Sequence, residues 1–98
     1  MILAGDIGGT KTNLALFERV DDKLVIKTQQ QFASREFSTL HDVIAEFMRL
    51  SAMPPVDAAC FGIAGPVIDR CCRTTNLPWE ITTSGLQQHL GIENVHLM

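Results

Sequence analysis

Within eight residues, Gly5-Asp6-Ile7-Gly8-Gly9-Thr10-Lys11-Thr12 brings together a carboxylate, adjacent glycines, two hydroxyls and an ammonium group. Ile2, Leu3 and Ala4 lead in as a short apolar strand, and Asn13-Leu14-Ala15-Leu16-Phe17 leads out as another. Glycines let the backbone turn tightly, and a tight turn aims several N–H groups at one point. A concave set of donors suits a phosphate oxygen, so residues 5–12 are the candidate phosphate-binding set. Thr10 and Thr12 add hydroxyl donors and Lys11 adds positive charge. Asp6 alone would repel phosphate. A carboxylate there makes sense if magnesium, directly or through its waters, sits between the two negative partners.

Two better-known phosphate loops do not fit. A Walker loop ends in Gly-Lys-Ser/Thr, whereas Lys11 follows Thr10. The dinucleotide fingerprint needs G-x-G-x-x-G at the opening of a helix. That spacing is absent, and Thr12 to Phe17 has β-compatible residues and no helix cap. The order is strand, Gly-rich turn, strand.

With these residues in view, Asp6-Ile7-Gly8-Gly9-Thr10-Lys11-Thr12 resembles the first phosphate loop of sugar kinases in the hexokinase and actin-like ATPase superfamily. Gly62-Ile63-Ala64-Gly65-Pro66-Val67 and Thr74-Thr75-Asn76-Leu77-Pro78-Trp79 resemble, in order and spacing, segments of bacterial glucokinases. The resemblance runs through the whole chain. It implies an α/β fold, the ribonuclease-H-like (actin-like ATPase) domain, with a mixed sheet, the order β-β-β-α-β-α-β and a truncated C-terminal side. Residues 1–98 would be the N-terminal part of the small domain of a two-domain kinase.

The resemblance further implies ATP and Mg2+ as cofactors, glucose as substrate and transfer of the γ-phosphoryl to the sugar 6-hydroxyl. Positioning and electrostatics dominate such chemistry. Gly8, Gly9, Thr10 and Lys11 would hold phosphate oxygens and Asp6 would place the metal, through water. Gly65, Thr75 and Asn76 would contact the sugar. In that family a strand ending Val-x-Leu-x is followed by Asn-Asp, whose Asp is the catalytic base. Here the strand reads Asn94-Val95-His96-Leu97-Met98. The base is therefore expected beyond Met98, none of these residues is assigned as catalytic, and the chain alone is expected to be inactive.

Periodicity organises the rest. Residues 1–8, 12–20 and 24–32 read as an antiparallel meander, with a turn at Asp21-Asp22-Lys23. Leu40, Val43, Ile44 and Phe47 recur at helical spacing, with Ser38 as N-cap and Met53-Pro54-Pro55 as the stop. Asp57 to Ile63 is a near-continuous apolar run, expected as a strand buried on both faces and parallel to the first. A hairpin over 67–76, a helix over Ile81–Leu90 ended by Gly91, and a last strand complete the domain.

Composition narrows the class. The chain has 98 residues, 46% hydrophobic and 19% charged, with eight Lys and Arg against eleven Asp and Glu. That is the composition of a cytoplasmic globular domain, and scattered, outnumbered basic residues point to no nucleic-acid partner. The longest weakly polar run, residues 58–68, is broken by Gly62, Gly65 and Pro66 and falls short of the ~20 residues of a membrane span. Apolar residues follow Met1 without a basic leader, so no secretory signal is read.

Cys60, Cys71 and Cys72 have neither disulfide nor zinc spacing; Cys60 reads as a small buried hydrophobe, and the adjacent pair as pointing to opposite faces of a strand. His41, His89 and His96 show no ligand spacing. Trp79 suits either a sugar-site wall or the core. An exposed interdomain face and strand edge would favour a homo-oligomer. The alternatives to a glucokinase are another sugar kinase or a sugar-responsive repressor of the related family, and a non-catalytic assembly module. A repressor would carry a helix-turn-helix ahead of the loop, and Met1 stands five residues before Asp6.

Overall fold

Apolar residues alternate with polar or small ones through the first two segments, and a period of two turns one face of each strand inward. The structure, a computed structural model that describes residues 1–51, 55–65, 67–74 and 77–98, has β1 (Ile2–Ile7), β2 (Lys11–Val20) and β3 (Lys23–Ala33) paired as the expected antiparallel meander. Leu3, Ile7, Leu14 and Leu16 are buried on one face. Asp6 and Asn13 lie exposed on the other. Asp21 and Asp22 both take positive φ, 50° and 66°, as a two-residue type I′ hairpin requires. Farther along, the β2–β3 pairing jumps from Leu16↔Thr28 to Phe17↔Ile26, a bulge that leaves Lys27 opposite no residue.

A 3₁₀ turn (Ser34–Glu36) leads to α1 (Leu40–Ser51), whose Leu40, Val43, Ile44 and Phe47 are all buried. The cap is Thr39 and not Ser38. Its Oγ1 accepts the Asp42 N–H at 3.2 Å, and only the residue immediately before the first turn is placed to do so. Of the expected stop, Met53 and Pro54 lie outside the described residues.

β4 (Ala58–Ile63) then runs parallel to β1, in register from Ile2↔Ala58 to Ile7↔Ile63. Only Ala59 and Phe61 on it are buried. The expected burial on both faces is corrected, because the core is one cluster, to which both helices contribute, on one side of the sheet. For the same reason Cys60 is only half-buried, its sulfur 3.8 Å from that of Met98.

β5 (Val67–Ile68), β6 (Cys71–Arg73) and β7 (Glu80–Thr82) form a second, antiparallel sheet. The hairpin was expected and β7 was not. Ile81 belongs to it, pairing with Cys72, so the helix starts later. That helix is α2 (Thr83–Leu90); Thr82 caps it by accepting the Gly85 N–H at 3.0 Å, and Gly91 ends it with φ 70°. Cys72 is buried, which pushes its thiol pKa up, while Cys71 faces Glu80 on the other side. β8 (Val95–Leu97) adds parallel to β4 and completes the main sheet, β3-β2-β1-β4-β8. This is the expected ribonuclease-H-like mixed sheet, with the small sheet inserted between β4 and α2. No helix among the described residues is long and apolar enough to cross a membrane.

The two helices meet through His41 and His89, whose rings stack at 4.6 Å with 11° between planes. Burial, then the neighbouring His89, lower the pKa of His41, and Asp42 opposes the shift. The unfolded chain therefore holds this proton more tightly than the folded one. The stabilisation is full above the ordinary value of 6.5 and is lost as pH falls through it towards the lower folded value. We expect the melting temperature to drop between pH 7.5 and 5.5, and the drop to shrink in His41→Gln. Parallel melting curves with an unchanged pH slope in the variant would refute this.

Candidate phosphate and sugar site

The turn between β1 and β2 is too tight for side chains to fill. Gly8 N–H donates to the Lys11 carbonyl at 2.9 Å, and a Cβ on Gly8 would stand 2.9 Å from that same oxygen. Ser34, just past β3, fixes the turn from beneath. Its N–H donates to Thr10 O at 3.0 Å and its hydroxyl to Gly8 O at 2.8 Å, and its oxygen lies 2.8 Å from the Thr12 hydroxyl. A hydroxyl has one proton; since that of Ser34 goes to Gly8, Thr12 is the donor to Ser34. Both side chains are fully buried.

The exposed side of the turn is different in kind. Asp6, Thr10 and Lys11 are exposed, and the N–H groups of Gly9 and Thr10 donate to no acceptor among the described residues. Unengaged N–H groups beside a cation suit an anionic oxygen. Asp6 is a single carboxylate: among the described residues no three His, Cys, Asp or Glu converge to cage a metal. A cation beside it would keep ligands from water and phosphate, which is how magnesium is held. The donor set fits a hydrated Mg2+ next to phosphate.

The structure redistributes the eight expected phosphate residues. Ile7 is buried in the core, and Gly5 lies under the Phe61 ring, where a Cβ would come within 2.6 Å of Phe61 Cδ1. The Thr12 hydroxyl, expected as a phosphate donor, is corrected to an internal tie, because it is buried and engaged by Ser34. Asp6, Gly8, Gly9, Thr10 and Lys11 remain together at the turn. Ser34 was missed altogether. It belongs to no motif, and it reaches the loop only through the β2–β3 register that pairs Thr12 with Phe32.

Of the sugar candidates, Thr75 and Asn76 lie outside the described residues. Gly65 has φ 153°, and a Cβ there would meet Arg73 O at 2.8 Å, so it lets β6 approach the end of β4. Trp79 is buried, with Nε1 donating to Phe37 O at 3.2 Å, and is therefore a core residue and not a site wall. His96 bonds Asn94 Oδ1 at 2.8 Å.

The family model for glucokinase matches residues 3–98. The chain belongs to the glucokinase family. A glucokinase of Nostoc punctiforme is 40% identical over 99 residues, covering 100% of this chain and 29% of that protein. A glucokinase of Synechocystis sp. is 41% identical over 106 residues, covering 98% of this chain and 30% of its own length. The chain thus spans under a third of the glucokinases it matches. The crystal structure of a glucokinase from an Antarctic psychrotroph superposes with a TM-score of 0.90 at 27% identity, over 99% of this chain and 31% of that one. A putative sugar kinase from Cytophaga hutchinsonii, at 20% identity and a TM-score of 0.67, covers 99% of this chain and 34% of its own and shares the fold.

The Ser34 tie carries a measurable load in this chain. Ser34→Ala strands the buried Thr12 hydroxyl and frees the Gly8 carbonyl, which by the cost of unsatisfied buried groups is worth about 1–3 kcal/mol. Urea unfolding of the variant should show a loss of that order. A midpoint equal to wild type would disprove the role of Ser34.

Proposed function

We propose that residues 1–98 form the N-terminal part of the small domain of a cytoplasmic, ATP-dependent glucokinase that transfers the γ-phosphoryl group to the glucose 6-hydroxyl. The observation that carries this reading is the turn after β1, where two unengaged N–H groups, an exposed carboxylate and an exposed ammonium sit on a backbone clamped by Ser34. The glucokinase name shared by the relatives supports the choice of sugar.

In this reading the Gly9 and Thr10 N–H groups and Lys11 hold phosphate oxygens of ATP. Asp6 orients the water shell of the metal. Magnesium, when bound, neutralises charge on the transferring group. Gly65, Thr75 and Asn76 contact the sugar, Asn76 through an amide that both donates to and accepts from its hydroxyls. The base that accepts the hydroxyl proton, the second phosphate loop and the adenosine pocket are assigned to parts of the kinase outside these residues.

In the full-length kinase that carries this chain, Asp6→Ala should lower glucose-dependent turnover at least a hundredfold in a coupled assay, with the circular-dichroism spectrum unchanged. Near wild-type turnover would remove the metal role from Asp6. Asn76→Ala should raise the KM for glucose more than the KM for ATP. Equal changes in both constants, or none, would count against the sugar contact.

A further inference from the structure

A concavity of about 500 Å³ opens on the face of the main sheet that the core cluster leaves uncovered, and Asp6, Asn13, Phe17 and Gln31 help to line it. Asp6, Asn13 and Gln31 form one row across β1, β2 and β3, since Asp6 pairs with Asn13 and Asn13 with Gln31. Register partners share a face and stand within side-chain reach. Lys11 lies two positions along β2 from Asn13, so it projects to the same face. The row thus places an amide next to the carboxylate and the ammonium of the phosphate turn.

The amide is held in one orientation. Gln31 Nε2 donates to Asn13 Oδ1 at 3.0 Å. With its oxygen engaged, Asn13 has its NH2 group left to offer, a neutral donor of two hydrogen bonds. A donor standing between a carboxylate that attracts a hydrated cation and a lysine that attracts an anion matches the oxygen of a metal-bound phosphate. A plain cross-strand surface pair would contribute only to stability.

We infer that Asn13 is a further phosphate-binding residue, contacting a phosphate oxygen of the magnesium nucleotide, and that Gln31 is a positioning residue acting through it. This rests on the reading of the turn as a magnesium–ATP site. The test is calorimetric binding of a non-hydrolysable ATP analogue, with magnesium, to the full-length kinase and its variants.

Asn13→Ala should weaken binding roughly tenfold, as expected for one hydrogen bond to a charged oxygen, and leave glucose binding unchanged. Asn13→Asp, of the same shape, should weaken it further by exchanging the donor for a negative charge. Gln31→Ala should have a smaller effect, and the Asn13→Ala/Gln31→Ala double variant should bind no more weakly than Asn13→Ala alone. Unchanged nucleotide binding in both Asn13 variants, alongside weakened binding in Asp6→Ala, would overturn this inference and leave the function reading standing. Additive losses in the double variant would overturn the positioning role of Gln31. Failure of the wild-type kinase to bind the magnesium nucleotide would overturn both readings together.

Discussion

One buried serine hydroxyl holds the turn between β1 and β2 in shape. Gly8 and Gly9 leave the backbone many conformations, and fixing each residue costs about 1–2 kcal/mol of chain entropy. Ser34 meets that cost during folding, because its N–H and hydroxyl donate to two of the turn's carbonyls while its oxygen accepts a hydrogen bond from the Thr12 hydroxyl. The turn's backbone is therefore fixed by the fold itself, and preorganisation of this kind is what lets a small number of donors bind well. The arrangement works only in a dry site. Water reaching the Ser34 hydroxyl would compete for each of its partners.

The sheet divides its labour between its faces. On the inner face Phe61 lies over Gly5, and any side chain at Gly5 would collide with that ring. Leu3, Ile7, Leu14 and Leu16 pack into the same cluster and pin β1 from below. The outer face is free to carry polar chemistry at no cost to the core, and Asp6 is there. Alternation along one strand thus places a core residue, Ile7, directly beside an exposed carboxylate, Asp6.

Much of this was legible in the sequence, for reasons that can be named. The meander, both helices and the parallel direction of β4 followed from periodicity and turn residues, which are local signals, while the ribonuclease-H-like fold came from the family resemblance of the motifs. The clustering of Asp6, Gly8, Gly9, Thr10 and Lys11 at one turn was legible because a short motif puts these groups close in the chain. Ser34 and the Asn13–Gln31 bond were not, because pairs 22 and 18 residues apart come together only through strand register. β7 was missed because Ile81 pairs with Cys72 across the small sheet, and three residues show too few repeats for a period of two to stand out. The run 57–63 misled because Ala58, Cys60 and Gly62 are small as well as apolar, and small residues tolerate a half-open face as readily as a buried one.

The bulge at Lys27 separates β3 into two mechanically distinct halves. Residues 28–33 take their alignment from the serine end, while residues 23–26 take theirs from the Asp21-Asp22 hairpin. An extra residue in the pairing absorbs misalignment locally. Lengthening or shortening the distal hairpin would therefore be taken up at the bulge before it reached the row that contains Gln31. The far end of this ribbon, with its exposed Leu24, Val25 and Ile26, is thereby uncoupled from the near end, where the pairing of Asn13 with Gln31 and of Lys11 with Ala33 holds the turn.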